Sequence, residues 1–374
     1  MGAGIAQLCL TAGHEVLLHD VDELALERGR GRVSDGLSRL VEKGRLEEKE
    51  KEILLGRLRH AHSLDALGDE AELIIEAALE DLELKRTIFR ALDEGTSGTT
   101  LLATNTSALS VTAIAEGLGE SGRVVGLHFF NPAPVMPLVE VVAGERTEPR
   151  VAHAAMAFAE SLGKTAVACR DAPGFIVNRV NRPFTLEPLR MVEAGEASVE
   201  AIDSAIEGAG YPMGPFRLMD LVGIDVNLAV ARALYAAFEE AERFRPSVIQ
   251  EQMVAAGRLG RKSGAGFYVC ADPVDPAVGT VPLPAVTGSL GPEGIVSRVE
   301  LAIINEAYHA AGEDVADPAD IDRAMKLGAN HPHGPFDRAR ELGLRVVIEG
   351  LRQLQEVHGD RFAVAPSLWQ IASI

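Results

Sequence analysis

The sequence is poor in cysteine, aromatic residues and basic residues. Its 374 residues include three cysteines, Cys9, Cys169 and Cys270, and no CxxC pair. An odd number of widely spaced cysteines excludes a disulfide framework and a cysteine-based zinc site, so we expect a reducing compartment and no metal. Lys and Arg total 36 against 55 Asp and Glu, which gives a net charge of −19. This acidic balance argues against a nucleic-acid partner, because phosphate backbones bind basic surfaces.

The sequence also lacks the apolar segments that place a protein in or across a membrane. No apolar run approaches the length of a membrane span, so we expect no membrane association and a cytoplasmic location. The apolar amino terminus has no basic region before it, unlike a signal peptide. Hydrophobic residues make up 47% and charged residues 24% of the chain, which is typical of a folded protein of two or three domains.

Short apolar runs alternate with amphipathic patterns over residues 1–170. Strands are predicted at 15–19, 73–77, 101–104, 123–129 and 138–142, and helices at 2–12, 22–43, 47–57, 81–93 and 149–163. This alternation predicts an α/β domain with a Rossmann-type doubly wound sheet.

Helical patterns dominate after residue 170, and they contain an internal repeat. Three motifs recur in order at an offset of 119 or 120 residues: Ile176–Val180 with Ile295–Val299, Ile202-Asp203 with Ile321-Asp322, and Gly214–Phe216 with Gly334–Phe336. Repetition at a fixed period indicates a duplicated structural unit. We therefore predict two tandem all-helical domains, 171–270 and 294–374, joined by a Pro/Gly-rich linker, 271–293.

The first residues resemble the second half of a dinucleotide-binding fingerprint. Gly2 and Gly4 open a helix, and the next strand ends at Asp20, whose carboxylate suits a ribose 2′-hydroxyl and disfavours a 2′-phosphate. The pattern lacks the first strand and its glycines. Either these precede Met1 in a longer protein or the domain is truncated, and we expect the first, with Met1 inside the glycine loop. Alone the half-motif is weak, since Asp20 also fits a simple turn.

An acid and a histidine lie in neighbouring apolar strands. His128 ends one strand before a Pro-rich break, and Glu140 lies inside the next between Val139 and Val141. A carboxylate in an apolar strand is costly without a partner, and pairing with His128 would fix its tautomer and prepare it to take a proton. Alternatively, Glu140 faces solvent on an edge strand and His128 is a packed ring.

Two polar segments fit the same chemistry. Asn105-Thr-Ser107 follows a strand, at the sheet edge where α/β ligands bind. Asn178 opens the first helical unit, whereas the second unit has Ser297 there. Hydrogen bonds from these groups would hold a substrate oxygen. The alternatives are a helix cap for Ser107 and an interhelical hydrogen bond for Asn178.

Over essentially its whole length the chain resembles the L-3-hydroxyacyl-CoA dehydrogenase family, in particular long bacterial members of 3-hydroxybutyryl-CoA and 3-hydroxyadipyl-CoA metabolism. The motifs that carry the resemblance are MGAGIAQ at 1–7, the strand end at Asp20, Asn105-Thr-Ser107, HFFNP at 128–132, Glu140, DAPGFIVNR at 171–179, and GRKSG at 260–264 with GFY at 266–268.

The resemblance implies reversible oxidation of (S)-3-hydroxyacyl-CoA to 3-ketoacyl-CoA with NAD. It makes His128 the general base, Glu140 its electrostatic support, and Ser107 and Asn178 the hydrogen-bond donors to the reacting oxygen. The cofactor residues that it implies are Gly2, Asp20, Ala77, Glu80, Lys85, Asn105, Asn131 and Lys262. For the CoA phosphates it points to Lys43 on the helix 22–43, with Arg30, Arg32 and Arg39 as further candidates that equally fit a solvated face. Gly36 departs from a family serine that contacts CoA.

In short members of this family the helical domains of two subunits pair. A duplicated unit would make that pairing within one chain, so we expect either a monomer with an internal pseudo-dimer or a homodimer. Two alternative functions remain open at this point. One is an NAD-dependent dehydrogenase of a free hydroxy or sugar acid, and the other is a non-catalytic acyl-CoA-binding protein disabled by its incomplete glycine loop.

Overall fold

The computed structural model describes residues 1–68, 70–270, 277–288 and 290–372. It contains two compact units, Met1–Ala172 and Pro173–Ile374. Part of the predicted linker, residues 271–276 and 289, lies outside the described residues. Both helical segments belong to the second unit, so their division into separate domains stays a prediction.

The first unit alternates strands and helices. Its strands are β1 (Val16–Leu18), β2 (Leu58–His60), β3 (Leu73–Glu76), β4 (Leu101–Thr104), β5 (Val124–Phe129), β6 (Leu138–Ala143) and β7 (Thr165–Arg170). Its helices are α1 (Gly2–Thr11), α2 (Glu23–Glu42), α3 (Glu48–Gly56), α4 (Leu64–Gly68), α5 (Leu82–Gly95), α6 (Val111–Ile114) and α7 (Pro149–Ser161).

The strands form two sheets. Five strands lie in the order β3-β4-β5-β6-β7, all adjacent pairs being parallel except β5 with β6. β1 pairs in parallel only with β2, and among the described residues no strand joins this pair to β3. The Rossmann-type α/β prediction is confirmed. β2 and β7 were not predicted, because Leu-Arg-His is too short and too polar to stand out, and the apolar centre of β7, Ala-Val-Ala-Cys, has a single large aliphatic residue.

Packing of α1 explains two sequence features. One face of α1 joins the core beneath the large sheet through Ile5 and Leu8, which meet residues of β5, β6 and α7. Its other face meets α2, where a Cβ added to Gly36 would lie 2.0 Å from Oε1 of Gln7. Glycine at position 36 thus leaves room for the Gln7 side chain where the two helices meet.

The second unit consists of helices in two successive sets. The first set is α8 (Val177–Val180), α9 (Pro183–Glu193), α10 (Val199–Gly208), α11 (Pro215–Val222), α12 (Ile224–Ala237) and α13 (Val248–Ala255). The second set is α14 (Pro292–Gly312), α15 (Pro318–Gly328), α16 (Pro335–Leu342), α17 (Leu344–His358) and α18 (Pro366–Ala372). The second set begins at Pro292, two residues before the predicted boundary. No helix in the described parts of the chain combines the length and apolarity needed to cross a membrane.

The two sets reuse the same local devices. Asp203 accepts the backbone N–H of Phe216 at 2.9 Å, and Asp322 accepts that of Phe336 at 2.8 Å. A Cβ on Gly214 or on Gly334 would lie within 2.5 Å of the corresponding aspartate. Each aspartate therefore caps a helix that begins with Gly-Pro-Phe. A residue larger than glycine at the first of these positions would clash with the aspartate. This repeated device supports an internal duplication.

The sets are joined by buried ion pairs that cross reciprocally between them. Arg179 of the first set donates to Glu306 of the second at 2.7 Å, and Arg298 of the second donates to Glu187 of the first at 2.9 Å. Burial raises the pKa of Glu187, but Arg190, Arg298 and a third arginine outweigh it and hold that pKa below its usual range. Because each set donates an arginine to a glutamate of the other set, the two sets pack like two subunits of a symmetric dimer.

The segment between the sets is attached to the first of them. The backbone N–H groups of Thr287 and Gly288 both donate to the carbonyl of Gly195 at 2.9 Å. The described part of the predicted linker therefore follows the surface of the helical unit rather than leaving it.

Candidate active site

The structure pairs His128 with Glu140. The two residues face each other across the antiparallel ladder of β5 and β6, and Nδ1 of His128 lies 2.6 Å from Oε2 of Glu140. Both side chains are buried, Glu140 completely, and the ring of Phe130 lies 4.5 Å from the imidazole. Of the two interpretations of this pair, the solvent-facing edge carboxylate is wrong. A buried carboxylate on Nδ1 fixes the tautomer of the ring and stabilises its protonated form.

The ends of β4 and β5 are held together beside this pair. Asn105 follows β4, and its Oδ1 accepts the backbone N–H of Phe129 at 2.9 Å. Asn105 therefore fixes the end of the strand that carries His128. Ser107 lies two residues further on, in the same loop, where its backbone N–H donates to Glu80 at 2.9 Å.

Glu80 organises the loop after β4. Its carboxylate accepts hydrogen bonds from the Thr106 hydroxyl at 2.6 Å and from the backbone of Ser107 and Ala108. Burial raises the pKa of Glu80, but the hydrogen bonds from Thr106 and Ser107 and the charge of Lys85 outweigh it, so the pKa is lowered. Glu80 is therefore an ionised acceptor that shapes the Asn105–Ser107 loop.

Lys85 is buried between two carboxylates. Its ammonium lies 2.7 Å from Glu76 and 3.5 Å from Glu80, and the residue is 1% exposed. Glu76 in turn accepts the hydroxyl of Thr104 at 2.7 Å, which ties β3 to β4. Sequence reasoning missed Glu76, although the signal was there: it is a carboxylate in an apolar strand, like Glu140, and a lysine follows nine residues later.

Three of the residues assigned to the cofactor, Asp20, Ala77 and Asn131, follow β1, β3 and β5. A Cβ on Gly2 would sit 3.9 Å from that of Ala77, so the start of α1 lies against the end of β3. Asp20 is exposed after β1, and one of its oxygens accepts the N–H of Asp22. Asn131 is exposed after β5. A helix start without a side-chain cap and an exposed carboxylate fit the phosphates and ribose of a dinucleotide.

The candidates for CoA lie on α2. Lys43 and the three arginines, Arg30, Arg32 and Arg39, are exposed, and their side chains form no hydrogen bond or ion pair with the described residues. They provide positive charge on one helix of an acidic protein. Gly36 stands where the family has a serine, and the space beside Gly36 is filled by the side chain of Gln7.

Two predicted site residues belong to the second unit. Asn178 lies in α8 and is partly buried. Lys262 lies in a short 3₁₀ helix, Arg261–Ser263, and its ammonium is 2.6 Å from Asp225. Burial raises the pKa of Asp225, but the bond from Lys262 outweighs it and the pKa is lowered. Lys262 is thus held by a carboxylate within its own unit. The described residues contain no cluster of histidine, cysteine and acidic residues that could hold a metal ion.

Comparison with known proteins identifies both units. The NAD-binding domain of 3-hydroxyacyl-CoA dehydrogenase matches residues 1–172, and the C-terminal domain of the same family matches twice, at 174–270 and 295–373. The 3-hydroxyadipyl-CoA dehydrogenase of Escherichia coli K12 is 36% identical, with 96% of this chain and 92% of that protein covered. A 3-hydroxybutyryl-CoA dehydrogenase of Mycobacterium tuberculosis is 42% identical over 72% of this chain and 94% of its own length.

A solved structure agrees over the whole length. The crystal structure of 3-hydroxybutyryl-CoA dehydrogenase from Escherichia coli K12 superposes with a TM-score of 0.91 at 35% identity, covering 100% of this chain and 96% of that one. Together with the two family domains and the buried His–Glu pair, these similarities show that the chain belongs to the 3-hydroxyacyl-CoA dehydrogenase family, whose first domain binds NAD.

Proposed function

We propose that the protein catalyses the reversible, NAD-dependent oxidation of (S)-3-hydroxyacyl-CoA to 3-ketoacyl-CoA in fatty-acid or related acyl-CoA degradation. The observation that carries this proposal is the buried pair of His128 and Glu140, 2.6 Å apart at the carboxyl end of β5. Oxidation of a secondary alcohol needs a base for the hydroxyl proton, and an imidazole held by a carboxylate supplies one.

In the oxidative direction, Nε2 of His128 takes the proton of the 3-hydroxyl group. The carboxylate of Glu140 holds Nδ1 and stabilises the positive charge that the ring acquires. NAD, which Gly2, Asp20, Ala77 and Asn131 would hold, would supply the acceptor for the hydride that leaves C3 as the C=O bond forms. Ser107 and Asn178 hydrogen-bond the reacting oxygen.

The cofactor residues divide into contacts and supports. Asp20 would accept hydrogen bonds from the ribose hydroxyls, Gly2 and Ala77 would leave room for the phosphates, and Asn131 would contact the nicotinamide. Lys85 supports the cofactor site without contacting the cofactor, because its ammonium group is paired with Glu76 and Glu80. Asn105 likewise positions His128 through the backbone of Phe129. Lys262, held by Asp225, completes the set.

For the CoA part of the substrate, Lys43 and the exposed arginines of α2 supply cations for the phosphates. Salt dependence tests this assignment, since exposed charges are screened within about 8 Å at physiological ionic strength. The KM for acyl-CoA should rise with salt in the wild type and less steeply in K43Q, while the KM for NADH stays unchanged.

The function is tested by turnover. Purified full-length protein is given acetoacetyl-CoA and NADH, and the loss of NADH absorbance is followed. Turnover that H128Q reduces by about 100-fold or more supports the proposal, in keeping with the usual contribution of a general base. Turnover with free hydroxy acids but not CoA esters would instead support a free-acid dehydrogenase. Saturable acyl-CoA binding without an NADH fluorescence signal would support a non-catalytic binding protein.

The proposal extends to assembly and location. The reciprocal ion pairs of Arg179 and Arg298 join the two helical sets within one chain. The same pairing of helical domains would otherwise need two subunits, so we infer a monomer with an internal pseudo-dimer. Light scattering coupled to size-exclusion chromatography measures this, and a dimer mass contradicts it. A cytoplasmic location follows from the reduced cysteines and the metabolic role.

A further inference from the structure

An arginine of the first helical set is buried without a counter-charge. Arg182 follows α8 and is 5% exposed. Its Nε has no hydrogen-bond partner, and its Nη1 makes only two long contacts, 3.4 Å to the carbonyl of Asn227 and 3.5 Å to the hydroxyl of Thr185. Among the described residues no carboxylate lies within ion-pairing distance of it. A buried cation is normally paired, so this one lacks a negative partner.

Arg182 lies in a turn, residues 181–182, that joins α8 to α9, four residues beyond Asn178. The N–H of Asn181 donates to the carbonyl of Val177, that of Arg182 to Arg179, and that of Leu186 to Arg182. Helical turns advance the chain by about 5.4 Å for each 3.6 residues. Arg182 therefore lies one turn beyond the residue assigned to the reacting oxygen, a span that a few carbon–carbon bonds cover.

The second helical set shows that the fold does not need this arginine. At the offset of 119 residues, Leu301 stands at the position of Arg182 and Ser297 at that of Asn178. At the offset of 120 residues, which applies from Gly214 onward, Val347 stands at the position of Asn227. Leu301 is buried as Arg182 is. The set that carries Asn178 thus also carries a buried cation, and the other set has a buried aliphatic side chain at the equivalent position.

The relatives differ in the feature that such a cation would recognise. The Escherichia coli relative is named for 3-hydroxyadipyl-CoA, which ends in a carboxylate, and the Mycobacterium tuberculosis relative for 3-hydroxybutyryl-CoA, which ends in a methyl group. We propose that Arg182 determines specificity by pairing with the terminal carboxylate of a dicarboxylic 3-hydroxyacyl-CoA. This inference rests on the proposed dehydrogenase function, and it adds the substrate class.

Burial explains why the pairing would discriminate strongly. Desolvation lowers the pKa of Arg182 to about 10, so the side chain is still a cation at neutral pH. A carboxylate that reached it would complete a desolvated, charge-assisted pair, the strong class of hydrogen bond. A terminal methyl group would leave the cation unpaired and gain nothing from it.

The test compares two substrates of equal chain length, 3-hydroxyadipyl-CoA and 3-hydroxyhexanoyl-CoA, in the full-length protein with NAD. We expect the wild type to prefer the dicarboxylic substrate in kcat/KM. R182L, which installs the residue of the second set, should lose on the order of 100-fold on that substrate and stay within a few-fold on the other. R182K should retain part of the preference. R232L, at an exposed arginine on α12, is the control and should leave the ratio unchanged.

A thermal melt separates specificity from a structural role. Because R182L removes an unpaired buried charge, its Tm should equal or exceed that of the wild type. Equal losses on both substrates with a lowered Tm overturn the inference, as does a wild type without preference. If R182L does not fold, the ratio is measured in R182Q, and an unchanged ratio there has the same meaning. Turnover of neither substrate by the wild type overturns the proposed function itself, and with it this inference.

Discussion

Replacing Glu140 by glutamine removes the charge beside His128 and little else. Glutamine has nearly the same shape, and its amide oxygen can still accept the Nδ1–H that Glu140 now receives at 2.6 Å. What is lost is the attraction between a carboxylate and the imidazolium that forms as the hydroxyl proton is taken. Two unit charges about 4 Å apart at an effective dielectric constant of about 20 attract by about 4 kcal/mol.

That attraction exists only after His128 has gained the proton, so it lowers the barrier rather than strengthening substrate binding. At about 1.4 kcal/mol per tenfold in rate, its loss should lower kcat by about 100- to 1000-fold. The KM for NAD should stay within a few-fold, because Glu140 does not belong to the residues assigned to the cofactor.

The assay is steady-state NADH production from a 3-hydroxyacyl-CoA, with D93N as the matched control. Asp93 is also a carboxylate of the first unit that is largely shielded from solvent, and it pairs with Arg123 at 2.9 Å just before β5 begins. His128 is at the opposite end of that strand, so D93N should lower stability and leave kcat unchanged. A kcat of E140Q within threefold of the wild type, in a protein that melts normally, would refute the role given to Glu140.

Three further predictions concern packing and pH. E306Q removes one of the two carboxylates that pair with buried Arg179, Glu313 being the other, and should lower the free energy of unfolding by up to about 3–5 kcal/mol in urea titrations; a change below about 1 kcal/mol contradicts the network. Burial and then His333 lower the pKa of His331 from 6.5 to about 3, so the neutral ring contributes stability that is complete above pH 6.5 and lost as pH falls toward 3. H331F should therefore flatten the stability profile below pH 6.5 by up to about 1.4 kcal/mol per pH unit, and an unchanged slope contradicts it. G36S should lower Tm by overpacking worth about 1–3 kcal/mol, and Q7A in the same chain should restore most of it, so additive effects contradict the contact.

The sequence predicted the features that depend on local pattern. Helices α1, α2, α5 and α7 were found within a few residues, because amphipathic periodicity and capping residues are local signals. Asp22 and Asp81 each cap a helix with their side chains, at the boundaries where the pattern placed them. The pairing of His128 with Glu140 was also accessible, since an acid inside an apolar strand requires a partner and the adjacent strand offered one.

Contacts between residues that are far apart in the sequence could not be predicted from it. The reciprocal bonds of Arg179 and Arg298 join residues more than a hundred positions apart, and nothing local marks their partners. Asp171 was read only as part of a motif, yet its carboxylate accepts from the Ser110 hydroxyl and the Thr112 backbone and so anchors the start of α6. Such contacts are decided by tertiary packing, which composition and periodicity do not encode.

The duplication separates positions that maintain the helical unit from positions that have changed. Glu187 and Glu306 are equivalent in the two sets, and each receives an arginine from the opposite set, so selection for the interface keeps them alike. Arg182 and Leu301 are also equivalent and also buried, yet their chemistry differs. Packing alone would favour leucine at both, because an unpaired buried cation destabilises a fold. An arginine retained at only one of two interchangeable positions therefore indicates a requirement that the fold does not impose, and a negatively charged substrate group is the requirement that its chemistry fits.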